Sequence, residues 1–203
     1  MKLVLATANP DKAREISDVL RAAGSPVDLV PRPGEVPEVD ETGTTLEENA
    51  RLKAIALCAA TGLPAIADDT GLEVDALDGA PGVLTARFAG VDASYADNVA
   101  HLLELIDGLE SDRRTARFTT VALAHWPDGR EVAAIGTVEG RIADEPRGEL
   151  GFGYDPIFVP DDGNGRTFAE MAPAEKDALS HRGRAFRTLA DGLRVVETLE
   201  SER

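Results

Sequence analysis

Four short clusters of polar residues carry the side chains in this sequence that could do chemistry. The first runs from Thr7 to Lys12 and combines a hydroxyl, an amide and an ammonium, just where an apolar stretch gives way to a helical pattern. Backbone N–H groups at a helix N-terminus are suited to binding phosphate. A polar turn between a strand and a helix can also be nothing more than a turn, so this cluster alone leaves anion binding open.

The second cluster consists of carboxylates. Asp40 and Glu41 lie in a proline-rich acidic loop, and Asp68 and Asp69 follow the apolar residues Ala65–Ala67. Adjacent residues of a strand point to opposite sides, so one aspartate can face a cleft while its neighbour is structural. Acids that converge from separate segments are hard oxygen ligands for Mg²⁺, which usually keeps several waters and is bridged by substrate phosphates. The alternative is a set of solvated acids in an acidic protein.

The third and fourth clusters lie in the C-terminal third. Gly151-Phe152-Gly153-Tyr154-Asp155-Pro156 places two aromatic rings beside two glycines, which allow close approach of the backbone, and the rings could stack on a planar base. A bulged strand with buried aromatics would look the same. The segment Lys176–Arg182 supplies an ammonium, Ser180, His181 and a guanidinium. These donors could bind phosphate or the oxygen atoms of a base, or form the charged surface of a helix.

Composition narrows the classes of function. The net charge of −16 repels nucleic acid backbones and anionic membranes, and it favours a metal ion wherever a small polyanion binds. Cys58 is the only cysteine, which excludes an intramolecular disulfide or a cysteine-ligated zinc and indicates a cytoplasmic protein. No apolar run approaches the length of a membrane span. The GxxxxGK[ST] phosphate loop of classical kinases and GTPases is absent from the sequence.

The elements that must position these clusters alternate between strand and helix. We predict strands at Lys2–Ala6, Val27–Val30, Ala65–Ala67 and Pro156–Pro160, and a hairpin of Arg117–His125 and Glu131–Val138 around Asp128-Gly129. The strand Ala65–Ala67 is expected to end on Asp68-Asp69-Thr70-Gly71, after which Leu72–Leu77 continues toward a turn at Asp78-Gly79. Helices are predicted after the N-cap Asn9, after the capping box Thr45–Glu48, over Asp97–Leu109 and over the region Phe186–Leu199. The sum is a mixed α/β protein, and we expect residues 1–203 to form a single domain.

Five motifs in this order resemble the Ham1/RdgB family of inosine triphosphate pyrophosphatases, over nearly the whole chain. They are ATANPDK, ETGTTLEENARLKA, ADDTGLEVDALDGAPGVLTARFAG, GFGYDPIF and KDALSHRGRAF. The resemblance implies an elongated mixed β-sheet flanked by helices, with two lobes and a central nucleotide cleft, usually in a homodimer. It also implies Mg²⁺-dependent hydrolysis of purine nucleoside triphosphates such as ITP, dITP, XTP and dXTP between the α and β phosphates.

The resemblance also implies a role for each matching residue. Asp69 would be the central acid, ligating Mg²⁺ or activating the attacking water, and Lys53 would approach the triphosphate. The pair Asp40 and Glu41 would supply a second metal ligand. The phosphates would be held by Thr7, Asn9 and Lys12, and the substrate-binding residues as a whole would be Thr7, Ala8, Asn9, Pro10, Asp11, Lys12, Thr70, Phe152, Gly153, Tyr154, Asp155, Lys176, His181 and Arg182.

Preference for a 6-oxo purine would follow if donors such as Arg182 or backbone N–H groups meet the O6 atom. Two positions depart from the family pattern, since Ala8 replaces the usual glycine and Thr70 the usual serine. Ala8 puts in doubt a backbone conformation with positive φ, or a very close approach of phosphate. Two alternatives stay open: a related Maf-like pyrophosphatase for other modified or pyrimidine nucleotides, and a nucleotide sensor that does not hydrolyse.

Overall fold

The computed structural model describes residues 1–202 and contains a mixed β-sheet flanked by helices, which confirms the predicted α/β class. The helices are α1 (Pro10–Ala22), α2 (Leu46–Thr61), α3 (Tyr95–Leu105), α4 (Pro173–Leu179) and α5 (His181–Ser201). The strands are β1 (Lys2–Leu5), β2 (Asp28–Val30), β3 (Ala65–Val74), β4 (Pro81–Gly82), β5 (Thr115–His125), β6 (Glu131–Ile142) and β7 (Phe158–Pro160). Within the described residues the strand order is β2-β1-β3-β5-β6-β7, and β4 pairs with β3.

The chain divides into two compact units. The first unit consists of Met1–Asp69, Thr120–Gly136 and the residues from Arg182 onward, and the second consists of Thr70–Thr119 and Thr137–His181. In the first unit β1 pairs in parallel with both β2 and β3. Strands that are buried on both faces read as continuous apolar runs, as Leu3 to Ala6 does here.

The two faces of the sheet in the first unit have separate apolar cores. Leu3 and Leu5 of β1 pack with Ile66 of β3 and with side chains of α1 and α5. Val4 and Ala6 pack instead with Ala65 and Ala67 and with α2. Successive side chains of a strand point to opposite faces. The two residues of β3 that follow Ala67 therefore also alternate between the face packed against α1 and α5 and the face packed against α2.

The predicted helix starts of the first unit are confirmed. Asn9 caps α1 by accepting hydrogen bonds from the N–H groups of Asp11 and Lys12, and Pro10 is the first helical residue. Thr45 and Glu48 form a reciprocal capping box at the start of α2, which ends at Gly62 in the left-handed conformation. Both signals are local, because a cap satisfies N–H groups that no helical carbonyl can reach.

The prediction for β3 was wrong in its extent. The predicted break at Asp68–Gly71 is absent, since one strand runs from Ala65 to Val74 and stops short of the predicted Leu77. Its far end pairs with β4 in antiparallel register, Leu72 with Gly82 and Glu73 with Pro81. Unpaired acidic side chains are unfavourable in the interior of a sheet, so the sequence at Asp68 and Asp69 does not suggest a central strand. Here ion pairs with side chains from distant segments offset their charge, and the strand therefore runs through them.

Other boundaries differ from the predicted ones by a few residues. The helix predicted over Asp97–Leu109 spans Tyr95–Leu105, because Ser94 and Asp97 form its capping box. The strand predicted to end at Val138 continues to Ile142, where Gly140, Arg141 and Ile142 pair with β7. The last strand begins at Phe158 and not at Pro156. The turn at Asp128-Gly129 is confirmed, since the Trp126 N–H donates to the Arg130 carbonyl.

The core of the second unit is rich in aromatic rings. Phe118 of β5, Phe158 of β7 and Phe168 lie with ring centroids 4.8 to 6.5 Å apart, and all three are buried. Such contacts orient rings more strictly than aliphatic packing does. Across residues 1–202, none of the helices combines the length and the apolar character that a membrane crossing requires.

Candidate active site

The paired acids of β3 lie on opposite faces of the sheet. Asp68 follows the alternation of Ile66 and faces α1 and α5, whereas Asp69 follows Ala65 and Ala67 and faces α2. Both acids are buried. Each therefore forms its direct ion pairs with different side chains, as the period of a strand requires.

Asp69 forms the centre of an ion-paired group in the first unit. Its Oδ1 atom lies 2.8 Å from the Lys53 ammonium, which also lies 2.8 Å from Oε1 of Glu41. The Asn49 amide donates to Oδ2 of Asp69 at 3.3 Å and accepts from the N–H of Gly43 at 2.8 Å. Because Lys53 and Asn49 lie one turn apart on α2, the helix holds both partners of Asp69 and ties the Glu41 loop to them.

The electrostatics of this group are unusual for an aspartate beside a lysine. Burial raises the pKa of Asp69, Lys53 opposes that shift, and the nearby Glu41 adds to it. Burial acts to lower the pKa of Lys53, but the charges of Asp69, Asp68 and Glu41 outweigh it and raise that pKa. The Lys53 ammonium therefore stays charged, whereas the neighbouring positive charges do not fully offset the cost of burying the ionised carboxylate of Asp69.

The residues predicted as metal ligands are brought together only in part. Glu41 and Asp69 share one lysine, whereas Asp40 is exposed in the preceding loop. Over the described part of the chain, no group of three or more His, Cys, Asp or Glu side chains has an arrangement that could hold a metal ion. Two carboxylates nevertheless fit Mg²⁺, which binds through one or two protein carboxylates when waters and substrate phosphates complete its shell.

The turn between β1 and α1 presents several polar groups. The Thr7 hydroxyl accepts from the N–H of Asn9, and the Asn9 side chain accepts from the N–H groups of Asp11 and Lys12 at 2.9 and 3.2 Å. Ala8 and Pro10 are exposed beside them. Among the non-glycine residues that the structure describes, positive φ occurs at Asp78 and Asn164, so the backbone at Ala8 does not require the family's glycine.

A cavity of about 430 Å³ adjoins this turn in the first unit. It is bounded by β1, α1 and the segment after β2, with the lining residues Leu5, Thr7, Ala8, Ala13, Ser17, Leu29, Val30, Pro31 and Arg32. Its walls are largely apolar apart from the two hydroxyls and the guanidinium. Thr7 and Ala8, at the start of the Thr7–Lys12 cluster, therefore border this cavity.

Asp68 is the centre of a second ion-paired group on the other face of β3. Nε and Nη2 of Arg182 donate to its Oδ2 atom at 3.4 and 3.2 Å, and the Lys12 ammonium lies 3.4 Å from the same atom. Nη1 of Arg182 donates to Glu15 at 2.6 Å. Burial acts to raise the pKa of Asp68, but Lys12, Arg182 and Lys53 outweigh it and hold that pKa far below its usual range.

The second unit contains the glycine-rich motif whose two aromatic rings were expected to be able to stack on a base. Asp155 accepts from the N–H of Phe152 at 2.8 Å and forms a very close ion pair with the buried Lys176. The Lys176 ammonium lies 4.8 Å from the centre of the Phe152 ring and 5.7 Å from that of Phe168. Gly151, at φ +73°, sits against the Asp155 carboxylate, where any Cβ would collide with it.

The remaining predicted residues have different surroundings. Phe152 and Gly153 are partly exposed, whereas Tyr154 is buried and donates its hydroxyl to the Thr85 carbonyl at 3.1 Å. Burial raises the pKa of Tyr154. His181 is buried and stacks on Phe118 with ring centroids 4.4 Å apart, and Thr70 lies partly buried in β3. Of the two aromatic residues in the glycine-rich motif, Phe152 is partly exposed and Tyr154 is buried.

Sequence reasoning missed two residues of these groups, Asn49 and Glu15. Both are polar residues on the buried faces of amphipathic helices, Asn49 next to Ala50 and Glu15 next to Ile16. A buried polar residue needs a partner, so its position in an apolar stripe was a usable signal. The sequence could not name that partner, because Arg182 lies 167 residues from Glu15.

Comparison with known proteins gives a consistent assignment. The Ham1 family model matches residues 3–192. A dITP/XTP pyrophosphatase of Brucella melitensis is 46% identical, with 96% of this chain and 94% of that protein covered, and one of Nitratidesulfovibrio vulgaris is 50% identical, with 93% and 94% covered. The structure of a HAM1 protein from Coxiella burnetii has a TM-score of 0.85 at 41% identity, covering 96% of this chain and 98% of that one. The chain therefore belongs to the Ham1 family.

Proposed function

We propose that the chain hydrolyses non-canonical purine nucleoside triphosphates, ITP and XTP with their deoxy forms, to the nucleoside monophosphate and pyrophosphate. The oxygen of water bonds to the α phosphorus, and the bond between that phosphorus and the oxygen bridging to the β phosphate breaks, so that pyrophosphate leaves. Relatives that are about half identical over nearly the whole chain bear the name dITP/XTP pyrophosphatase, which supports this reaction and substrate class.

The observation that carries the proposal is the Lys53 ammonium held between Glu41 and Asp69. A lysine at 2.8 Å from two carboxylates of separate segments provides a fixed positive charge beside hard oxygen ligands. Phosphoryl transfer needs charge neutralisation and an oriented nucleophile more than covalent catalysis. Asp69, whose pKa burial raises, is a better proton acceptor than an exposed aspartate and is suited to orienting the attacking water.

We assign Mg²⁺ to the pair Glu41 and Asp69, with Asp40 as a neighbouring acid of the same loop. A bound Mg²⁺ would neutralise charge on the phosphates during hydrolysis. Lys53 would then turn from the two carboxylates toward a phosphate oxygen. Thr7 would contribute its hydroxyl, Asn9 its side-chain amide and Lys12 its ammonium to the polyphosphate, because the backbone N–H groups of Asn9, Asp11 and Lys12 already donate within the turn.

We assign recognition of the base to the second unit, where Phe152 offers a partly exposed ring. Lys176 lies against that ring, Asp155 holds both Lys176 and the Phe152 backbone, and Gly151 and Gly153 shape the segment. Since the Arg182 guanidinium donates to Glu15 and Asp68, the backbone N–H groups of this segment are the better candidates for the O6 atom. A site that donates to O6 rejects adenine, because an amine would leave its donors unpaired.

The decisive experiment measures pyrophosphate release from ITP, dITP, XTP, GTP, ATP and dTTP, each with Mg²⁺ and with EDTA. We expect Mg²⁺-dependent release from ITP, dITP and XTP, and little from ATP or GTP. Lys53→Met serves as the inactive control. Release mainly from dTTP would favour the Maf-like alternative, and binding of ITP without release from any triphosphate would favour a sensor.

We further propose a cytoplasmic homodimer in which residues 1–203 act as one functional domain. The segment 84–95 supports the dimer, because Leu84, Val91 and Tyr95 are large apolar side chains that are 48%, 87% and 44% exposed in the single chain. Light scattering after size exclusion tests this assignment. A mass near 43 kDa, twice the 21.5 kDa of the chain, is expected, and a mass near 21.5 kDa would contradict it.

A further inference from the structure

Four charged side chains form a continuous row in the first unit, which we call the buried charge row: Glu15, Arg182, Asp68 and Lys12. Glu15, Arg182 and Asp68 are 8%, 2% and 2% exposed, whereas the Lys12 side chain is 21% exposed. The row thus begins in the interior, between α1 and α5, and ends at Lys12 in the first turn of α1, whose side chain is partly exposed. It contains two acids and two bases, so its formal charges balance.

Such a row is a poor way to stabilise a fold. Taking charges out of water costs free energy that their mutual attraction only partly returns, and apolar residues of similar size often stabilise a protein as well or better. The neighbouring positions Ile16, Val19 and Leu189 are apolar and fully packed, so the interior here readily accommodates apolar side chains. The row therefore calls for an explanation other than stability.

Within the buried charge row, each side chain restricts the orientation of the next one. Glu15 accepts from Nη1 of Arg182, which sets the plane of the guanidinium. That plane directs Nε and Nη2 at Oδ2 of Asp68, and this oxygen lies 3.4 Å from the Lys12 ammonium. Lysine has a flexible stem, whereas a planar guanidinium holds a carboxylate in a defined orientation. Each member thus limits the freedom of the next.

The last member is the residue of the row that can meet a ligand. Lys12 follows the Asn9 cap, and its own N–H donates to the Asn9 side chain. Its ammonium belongs to the polyphosphate-binding turn of the proposed function, on which this inference rests. An ammonium fixed before binding loses less side-chain entropy when the polyphosphate arrives.

We propose that Glu15 is a positioning residue for polyphosphate binding: through Arg182 and Asp68 it holds the Lys12 ammonium at the start of α1, without touching the substrate. In this role Glu15 and Arg182 act on the phosphates that all nucleoside triphosphates share. Their loss weakens every substrate equally and leaves discrimination between bases unchanged.

Simple charge effects predict the opposite result for Glu15→Gln. Removing one negative charge from a chain of net charge −16 favours the binding of a polyanion at long range. The proposal requires weaker binding, because the guanidinium loses its anchor. Glu47→Gln is the matched control, since Glu47 is an exposed acid paired with Arg51 on α2 and its removal changes the net charge equally.

The test uses inorganic tripolyphosphate, which has no base or sugar, in titration calorimetry with the full chain. We expect Glu15→Gln to weaken its binding about tenfold, with no weakening in Glu47→Gln. Lys12→Met should weaken binding at least as much, and the double variant Glu15→Gln/Lys12→Met should bind as Lys12→Met does, because the two act in series. In hydrolysis, KM should rise for ITP and GTP by the same factor while kcat changes little.

A second variant separates positioning from folding. Glu15→Met combined with Arg182→Met removes one charge of each sign but also takes the guanidinium away from the buried Asp68, so its melting temperature should fall. Tripolyphosphate binding, measured well below that temperature where the circular dichroism spectrum matches that of the wild type, should still fall as in Glu15→Gln. Unchanged binding in either variant, additive losses in the double variant with Lys12, or a changed ITP to GTP ratio would overturn the proposal. Tripolyphosphate binding is independent of turnover, so an inactive chain with this binding pattern would refute the hydrolase and retain the role of Glu15.

Discussion

Replacing either acid of β3 with asparagine is the sharpest test of the two-sided arrangement around that strand. Asp68→Asn and Asp69→Asn make the same isosteric change at neighbouring buried positions, and each variant is the control for the other. We expect Asp68→Asn to destabilise the fold strongly. We expect Asp69→Asn to leave stability nearly unchanged and to abolish turnover.

The loss of stability expected for Asp68→Asn follows from the ion-pair partners of Asp68. Asp68→Asn leaves Arg182 and Lys12 as two buried or half-buried positive charges with Glu15 as the neighbouring acid. Removing one member of a buried ion pair costs about 3–5 kcal/mol. For a chain of this size, each kcal/mol lowers the melting temperature by about 2–4 °C, so a fall of roughly 6–20 °C is expected.

The loss of stability expected for Asp69→Asn is smaller, because burial already disfavours the ionised form of Asp69. A raised folded-state pKa means that ionised Asp69 costs folding free energy at neutral pH, and asparagine removes that cost while Lys53 keeps Glu41 as its partner. The unfolding free energy should therefore stay within about 1 kcal/mol of the wild type. Turnover of ITP should fall by about 10³-fold or more, equivalent to roughly 4 kcal/mol of transition-state stabilisation.

The assay combines urea unfolding with pyrophosphate release, repeated from pH 7 to pH 3. The lowered pKa of Asp68 stabilises the fold above the ordinary aspartate pKa of about 3.9, and this contribution is lost as the pH falls below that value. The difference in stability between the wild type and Asp68→Asn should therefore be largest near pH 7 and shrink below about pH 4. Greater destabilisation by Asp69→Asn than by Asp68→Asn, or near-normal turnover in Asp69→Asn, would refute the reasoning.

Three further predictions concern the same groups. Lys53→Met should lower kcat by about 10²–10³-fold because a positive charge at the reacting phosphates is lost. Arg51 is a partly exposed arginine on the same helix, and Arg51→Met should leave kcat unchanged in the same steady-state assay. Gly151→Ala should raise the KM for ITP, because a Cβ at this position would collide with the Asp155 carboxylate. Gly165→Ala, with a similar φ of +75° but open space around it, controls for backbone strain, and equal KM values in the two variants would contradict the collision. Chelation by EDTA should stop release from ITP and added Mg²⁺ should restore it, and full activity in EDTA would rule out the proposed metal.

The sequence was most informative where a signal is local. The cap at Asn9 and the capping box at Thr45 were readable because each satisfies backbone groups within three residues. The five motifs also led to the family and to Lys53 and Asp69 as catalytic residues, and the structure adds that these two are in contact at 2.8 Å. Their roles in catalysis remain predictions that the variants above test.

The tertiary structure decided everything that depends on long-range pairing. The alternation of β3 assigns Asp68 to α1 and α5 and Asp69 to α2, a choice that requires knowing which helix covers which face. Arg182 illustrates the consequence, since the sequence suggested a donor to a base and the fold directs its guanidinium at Glu15 and Asp68. Residue types and short spacings determine which chemistry is available, but the partner of a buried charge is set by packing between segments that are distant in the chain.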